Sequence, residues 1–352
     1  MSSMAWNAIC VRPERRYTDR WPTCQVWFTD HVVQGVPRIR APAGVKVIAL
    51  SDPAVQRTAR LAELIADSFY GDGLDMSARG EATAGTWFEM PEVGAVRRLR
   101  DLQASNREVR LFLTLVSAVD RMRDASRLWR AAAALFQSRP DLFEPTEVAR
   151  VPVSTLREVL SSAEVSRFHT ADSKAWKRIS VSLVEEEGPV RRVIEEGKGD
   201  ARELRADLRS TKAGKACFPL LRGPKIAPMW VRIMAAPGGA VISNMETVPV
   251  AVDVHVRRVT ENLGVTDTRG LPLGRDVKCR IRSAWQEAVS AADFGGSLQI
   301  AGTCAALDPA LWLFGARGCS VCEKQHQQIP ISEACDSCQL FDVPQATGSG
   351  SR

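Results

Sequence analysis

The feature that most constrains this chain is where its prolines stand. From about residue 97 onward, apolar residues recur at helical spacing over 110–119, 125–137, 153–160, 173–187, 201–208, 226–235, 254–263 and 277–292. Pro140, Pro145, Pro152, Pro189, Pro219, Pro237 and Pro249 fall between these stretches. There a ring without an N–H costs no helix hydrogen bond. The pattern predicts a mainly α body of consecutive helices. A further helix is expected to open at Asp308 as N-cap, with Pro309 in its first turn.

The first hundred residues have another texture. Short β-rich runs at 25–29 and 45–50 are separated by Pro and Gly. A helix is expected over 53–70, with Leu61, Leu64 and Ile65 on one face, followed by a glycine-punctuated stretch. Residues 1–96 therefore read as an N-terminal α+β extension. The remaining boundaries are read as a helical lobe from 97–119 plus 246–318, a helical barrel over 120–245, a cysteine loop at 319–340 and a flexible tail from 341 to 352.

Composition narrows the class. The 352 residues are 45% hydrophobic and 25% charged, a globular rather than disordered balance, and the net charge of +6 permits a polyanionic partner without requiring one. No run approaches the roughly 20 apolar residues of a membrane span. The start, MSSMAWNAICVRPERR, lacks an apolar core of signal-peptide length. The expectation is a cytoplasmic protein with no membrane partner, in which nine cysteines are kept reduced.

Two segments carry the chemistry. LLRGPKIAPMW, residues 220–230, places a turn at Gly223, a fixed φ at Pro224 and then Lys225 at the start of a helix. VAVDVHVRRVTENLG, residues 250–264, sets Val252, Val256, Val259 and Leu263 in one apolar stripe, with Asp253 as N-cap and Gly264 as the stop. A lysine and an aspartate at the N-terminal ends of adjacent helices can face a common cleft. Taken singly, such an aspartate is most often only a cap, and such a lysine only solvated. Arg257 and Arg258 have an equally ordinary reading as a solvated face.

Together these segments resemble the helix-hairpin-helix DNA glycosylases, the HhH-GPD superfamily, in which L-P-G-V-G-x-K-x-A is followed by V-D-x-H-V-x-R-V. LLRGPKIA and AVDVHVRRV occupy those places. The second motif matches nearly throughout. The hairpin departs from the pattern, with Leu221 at the first glycine position and Arg222 at a usually apolar one. The separation of 28 positions from Lys225 to Asp253 includes an added loop from Pro237 to Pro249, a length also seen among archaeal 8-oxoguanine glycosylases. Upstream, RLFLTLVSAVD (110–120) is similar to the family helix that ends in Ser-Ala-Gln, with Val119 in place of the glutamine. The resemblance covers roughly residues 100–340.

The resemblance implies a two-lobed HhH-GPD fold that binds double-stranded DNA and rotates one nucleotide out of the stack. Lys225 and Asp253 are the implied catalytic pair. The carboxylate would stabilise positive charge on the sugar while the amine attacks C1′ and forms a Schiff base. Desolvation and a helix N-terminus are expected to favour the neutral amine. Arg222, Gly223, Lys215 and Arg257 are the expected DNA contacts, and Val119 and Asp120 the residues beside the gap left by the flipped base. The expected activity is a glycosylase with AP lyase function. Its substrate would be an oxidised purine or a hypermodified pyrimidine such as glucosylated hydroxymethylcytosine in phage DNA. A non-catalytic DNA-binding protein and a pure AP lyase are the alternatives, and no protein partner is inferred.

Near the C-terminus, Cys319-x2-Cys322 and Cys335-x2-Cys338 form two knuckles separated by twelve residues. Four thiolates so spaced suit zinc or an iron–sulfur cluster. The resemblance favours a [4Fe–4S] cluster, although the family spacing C-x6-C-x2-C-x5-C is absent and Pro344 stands where its last cysteine would be. Zinc is the alternative cofactor.

Overall fold

The computed structural model describes residues 52–70, 86–294 and 302–318. The β-rich runs at 25–29 and 45–50, the cysteine loop and the tail lie outside them. The described chain is mainly α, with thirteen α-helices among the described residues. In order these are α1 (Pro53–Tyr70), α2 (Pro91–Asp101), α3 (Asn106–Val119), α4 (Ala125–Ser138), α5 (Pro145–Val148), α6 (Val153–Ser162) and α7 (His169–Glu185). There follow α8 (Pro189–Glu196), α9 (Ala201–Asp207), α10 (Ile226–Ala235), α11 (Val254–Asn262), α12 (Arg275–Ala291) and α13 (Cys304–Leu313), with a π-turn at Phe314–Gly318.

Helix starts follow local chemistry. Ser105 and Glu108 form a reciprocal capping box on α3, and Asp124, Asp200 and Asp253 cap α4, α9 and α11 with their side chains. Pro91, Pro140, Pro145 and Pro189 stand in first turns, where a missing N–H leaves nothing unpaired. Two short sheets escape the helical reading. The strands β1 (Lys198–Asp200) and β4 (Val241–Ser243) pair in parallel, and β2 (Thr211–Lys212) with β3 (Lys215–Ala216) makes a hairpin. The added loop thus returns through β4 to lie beside β1.

Buried apolar side chains divide into two clusters. The first takes the inward faces of α2 to α10, centred on rings in successive contact: Trp129, Phe112, Phe136, Phe143 and Trp176. The second joins Leu61, Ile65 and Phe69 of α1 to Val256 and Val259 of α11, Ile281 and Trp285 of α12, and Leu307 and Leu311 of α13.

This division moves two of the expected boundaries. Helix α1 lies within the stretch read as an extension, yet its apolar stripe is covered by α12 and α13. Residues 109–119, assigned to the lobe of Asp253, bury their apolar side chains with those of α4 to α10 instead. The cause is the same in each case. An amphipathic stripe is completed by whichever helix covers it, and sequence adjacency does not say which.

The start of α13 is also corrected. Thr303 caps the helix, accepting from the Ala306 N–H, so Asp308 and Pro309 sit inside it. Asp308 is buried and bonded to another segment, not to the start of its own helix.

Candidate active site

Lys225 and Asp253 meet where the two cores adjoin. Lys225 stands at the N-terminal end of α10, whose inward side chains belong to the first core, and Asp253 caps α11 of the second. Their contact is Nζ to Oδ2 at 3.0 Å. The lysine side chain is 37% exposed and the carboxylate 12%, so the pair is reachable from solvent without being fully solvated. The other carboxylate oxygen of Asp253 is committed to its own helix, accepting from the His255 and Val256 N–H groups at 2.9 and 3.1 Å. One oxygen thus anchors while the other faces the amine.

The local backbone explains how these side chains come to meet. Leu220 takes a left-handed conformation, φ 68°, at a cost of about 1 kcal/mol for a non-glycine residue. Pro224 then leads directly into the helix that Lys225 opens. Arg282 of α12 donates to the carbonyl of Pro224 at 2.7 Å and to that of Val250 at 3.2 Å, fastening the segment before Lys225 to the segment before Asp253. Behind α11, a methyl group at Gly315 would collide with the His255 carbonyl, so only glycine permits this approach. His255 packs edge-on against Trp312 at 5.6 Å.

Charge around the amine runs opposite to expectation. Burial works against the ammonium, but the Asp253 carboxylate in contact, reinforced by Asp120 and Asp308, outweighs it and raises the pKa of Lys225 above its ordinary value. The resting lysine is therefore a cation. Asp120, at the C-terminal end of α3, accepts from the Trp129 indole N–H at 3.0 Å. Burial pushes its pKa up, opposed by that hydrogen bond and by the charge of Lys225.

The remaining expected contacts divide. Arg222 is exposed, and nothing lies within 4 Å of where a side chain at Gly223 would point, which leaves room for an external group beside the hairpin. Lys215 is exposed on β3. Arg257 is not available as a phosphate contact. It pairs with Glu261 at 2.9 Å and donates to the Thr268 carbonyl, because the i, i+4 spacing places a carboxylate within its reach. Val119 is fully buried in the first core and cannot fill a gap in DNA. An apolar residue that ends an amphipathic helix goes to the core.

Sequence reasoning passed over an exposed apolar side chain. Met122, two residues beyond Asp120, has φ 52° and is 75% exposed. Nearby, Phe168 lies under the guanidinium of Arg121 at 4.5 Å and of Arg167 at 5.5 Å. The signal was present as apolar residues among arginines in MRDASR and SRFH. Arg282, which joins the segments before Lys225 and Asp253, carried no local signal for that role.

The four cysteines lie outside the described residues. Among the described residues no group of three or more His, Cys, Asp or Glu could hold a metal ion, and no helix is long and apolar enough to cross a membrane. Comparison with known proteins gives no relative: no family model matches the chain, and no curated protein matches it.

Proposed function

We propose that the protein is a DNA glycosylase with AP lyase activity. It would bind double-stranded DNA, rotate a damaged or modified base out of the stack and release it at the Lys225–Asp253 pair. The observation that carries this reading is that contact, an amine and a carboxylate at two helix starts, half-open to solvent at the meeting of two cores.

The chemistry follows from the charges. Lys225 gives up a proton and its nitrogen bonds to C1′ as the glycosidic bond breaks; the base leaves with the bonding electrons and takes up that proton. The C1′–O4′ bond then opens as the C1′=N bond of the Schiff base forms, and O4′ takes a proton that the nitrogen loses. Positive charge that builds on the sugar is met by Asp253, with Asp120 and Asp308 adding to the negative field. A ring of carboxylates that holds the lysine protonated at rest suits a site that must stabilise a cation later. Met122 and Phe168, exposed among arginines, suit insertion into an opened base step, and Arg222 with Lys215 suits phosphate contacts. The substrate class we propose is an oxidised purine or a hypermodified pyrimidine of phage DNA. The cysteine pairs would hold a [4Fe–4S] cluster, with zinc as the alternative. Absorbance in the visible range together with metal analysis distinguishes them.

Borohydride trapping tests the reading. The wild-type chain should be captured covalently on DNA containing its substrate, Lys225→Ala should abolish capture, and Asp253→Asn should slow base release by on the order of 100-fold or more. Mass spectrometry of bases released from oxidised and hypermodified DNA identifies the substrate. Phage with modified genomes should plate less efficiently on cells that express the protein; equal plaque counts on both kinds of phage reject the defence role.

One observation favours a second reading. Lys225 is held as an ammonium by a direct ion pair, the state of a structural lysine. A non-catalytic DNA-binding protein would then show salt-sensitive binding and no abasic product.

A further inference from the structure

One buried carboxylate near the site does more than add to its negative field. Asp308 of α13 is 5% exposed; its Oδ1 accepts from the Ala251 N–H at 2.6 Å, and its Oδ2 lies 3.5 Å from Arg232 Nε. Arg232 is itself buried and donates to Glu92 of α2 at 2.9 Å. These ties reach both halves of the site. Ala251 stands two residues before Asp253, while Arg232 lies about two turns along the helix that Lys225 opens.

A carboxylate withdrawn this far from water is costly unless its partners replace hydration. Its neighbours on α13, Leu307 and Leu311, are ordinary core residues, so packing alone gives no reason for an acid here. The groups that face it come from every side. They are Tyr70 of α1, Glu92 of α2, Arg232 of α10 with Lys225 at its start, Asp253 before α11, and Cys304 on its own helix. Arg282 of α12 closes the outer side through the Val250 and Pro224 carbonyls, and Asp120 faces Lys225 from the end of α3.

We infer that Asp308 is a positioning residue for the Lys225–Asp253 pair, fixing their separation through Ala251 and Arg232 and supplying a negative charge that Lys225 feels. Burial raises its pKa to about 6, with Arg232 and the Ala251 N–H opposing, so that it is ionised at neutral pH and becomes neutral in mild acid. Only the catalytic consequence rests on the glycosylase reading; the coupling between Asp308 and Lys225 does not.

The test reads Lys225 in the full chain without DNA. Lysines are reductively methylated with 13C-formaldehyde, the Lys225 signal is assigned by its absence in Lys225→Arg, and its shift is followed against pH. Asp308→Asn keeps the volume and an acceptor for Ala251 while removing the charge. The expected result is a Lys225 midpoint lower by about half a pH unit or more, roughly threefold in the amine's ionisation constant, with other lysines unmoved. An unchanged midpoint overturns the inference.

If Asp308→Asn does not fold, the wild-type curve decides. Lys225 should show a second inflection near pH 6 that persists in Asp120→Asn, and its absence overturns the inference equally. Trapping on DNA separates the two ideas. A shifted titration with no trapping on any DNA sinks the Schiff-base chemistry at Lys225 and leaves the coupling, whereas trapping with an unshifted titration does the reverse.

Discussion

The two cores are built on different principles. In the first, five aromatic rings touch in sequence, Trp129, Phe112, Phe136, Phe143 and Trp176, and the helices around them close over apolar surface. In the second, a mixture of aliphatic and aromatic side chains, Phe69 and Trp285 among them, does that work, and its border with the first carries the buried charges Glu92, Arg232 and Asp308. Apolar contact is non-directional and holds a helix down without fixing its register. A buried ion pair adds little net stability but tolerates few geometries. The first core is accordingly a platform, whereas the border between the cores is where placement is specified, and the lysine and aspartate sit on that border.

Four experiments would break or sharpen this contrast. The largest effect is expected at Phe112, which contacts three other rings; Phe112→Ala should cost about 3–5 kcal/mol in urea unfolding. Trapping at a temperature well below the transition should survive, because the ring lies away from the pair. A similar loss, again about 3–5 kcal/mol, is expected for Arg232→Met, since it strands two buried carboxylates. Combining it with Glu92→Gln and Asp308→Asn should recover most of that stability while trapping stays impaired. If trapping recovers too, the border specifies nothing.

The third effect depends on pH. A carboxyl whose folded pKa is raised contributes stability that is complete below its unfolded value and is lost as pH rises through the folded value. For Asp308 that window runs from the ordinary value of 3.8 to about 6 and amounts to roughly 3 kcal/mol. The melting temperature of Asp308→Asn minus that of wild type should therefore rise between pH 4 and pH 7. A flat difference would mean that the acid is not penalised by burial. The smallest effect belongs to the cap: Ser105→Ala should lower stability by about 1 kcal/mol, through loss of the bond from the Glu108 N–H to the hydroxyl and of the hydroxyl's own bond to the Glu108 carboxylate.

How much of this was legible depends on range. Helix positions were, because periodicity and proline are local: α1 and α10 span the expected residues, and α3, α4, α6 and α11 differ from expectation only at their ends. Asp253 as a cap and Lys225 at a helix start were legible for the same reason. The partnership of α1 with α12 and α13 was not, because a stripe does not name its complement. Asp308 was misread through a conflict of local signals. Asp-Pro imitates a helix start, but Thr303 supplies an earlier one, and the pull of Arg232 and Ala251 on the acid is visible only in three dimensions. Arg257 erred in the other direction, since a carboxylate one turn away claimed it before any partner could.

The contact between Gly315 and the His255 carbonyl has a mechanical consequence. The turn that follows α13 lies against the first turn of α11, and the missing side chain leaves no slack between them. A displacement of the backbone at 315 would be passed on to the turn whose amides grip Asp253, so that the end of α13 and the acid answer to the same lever.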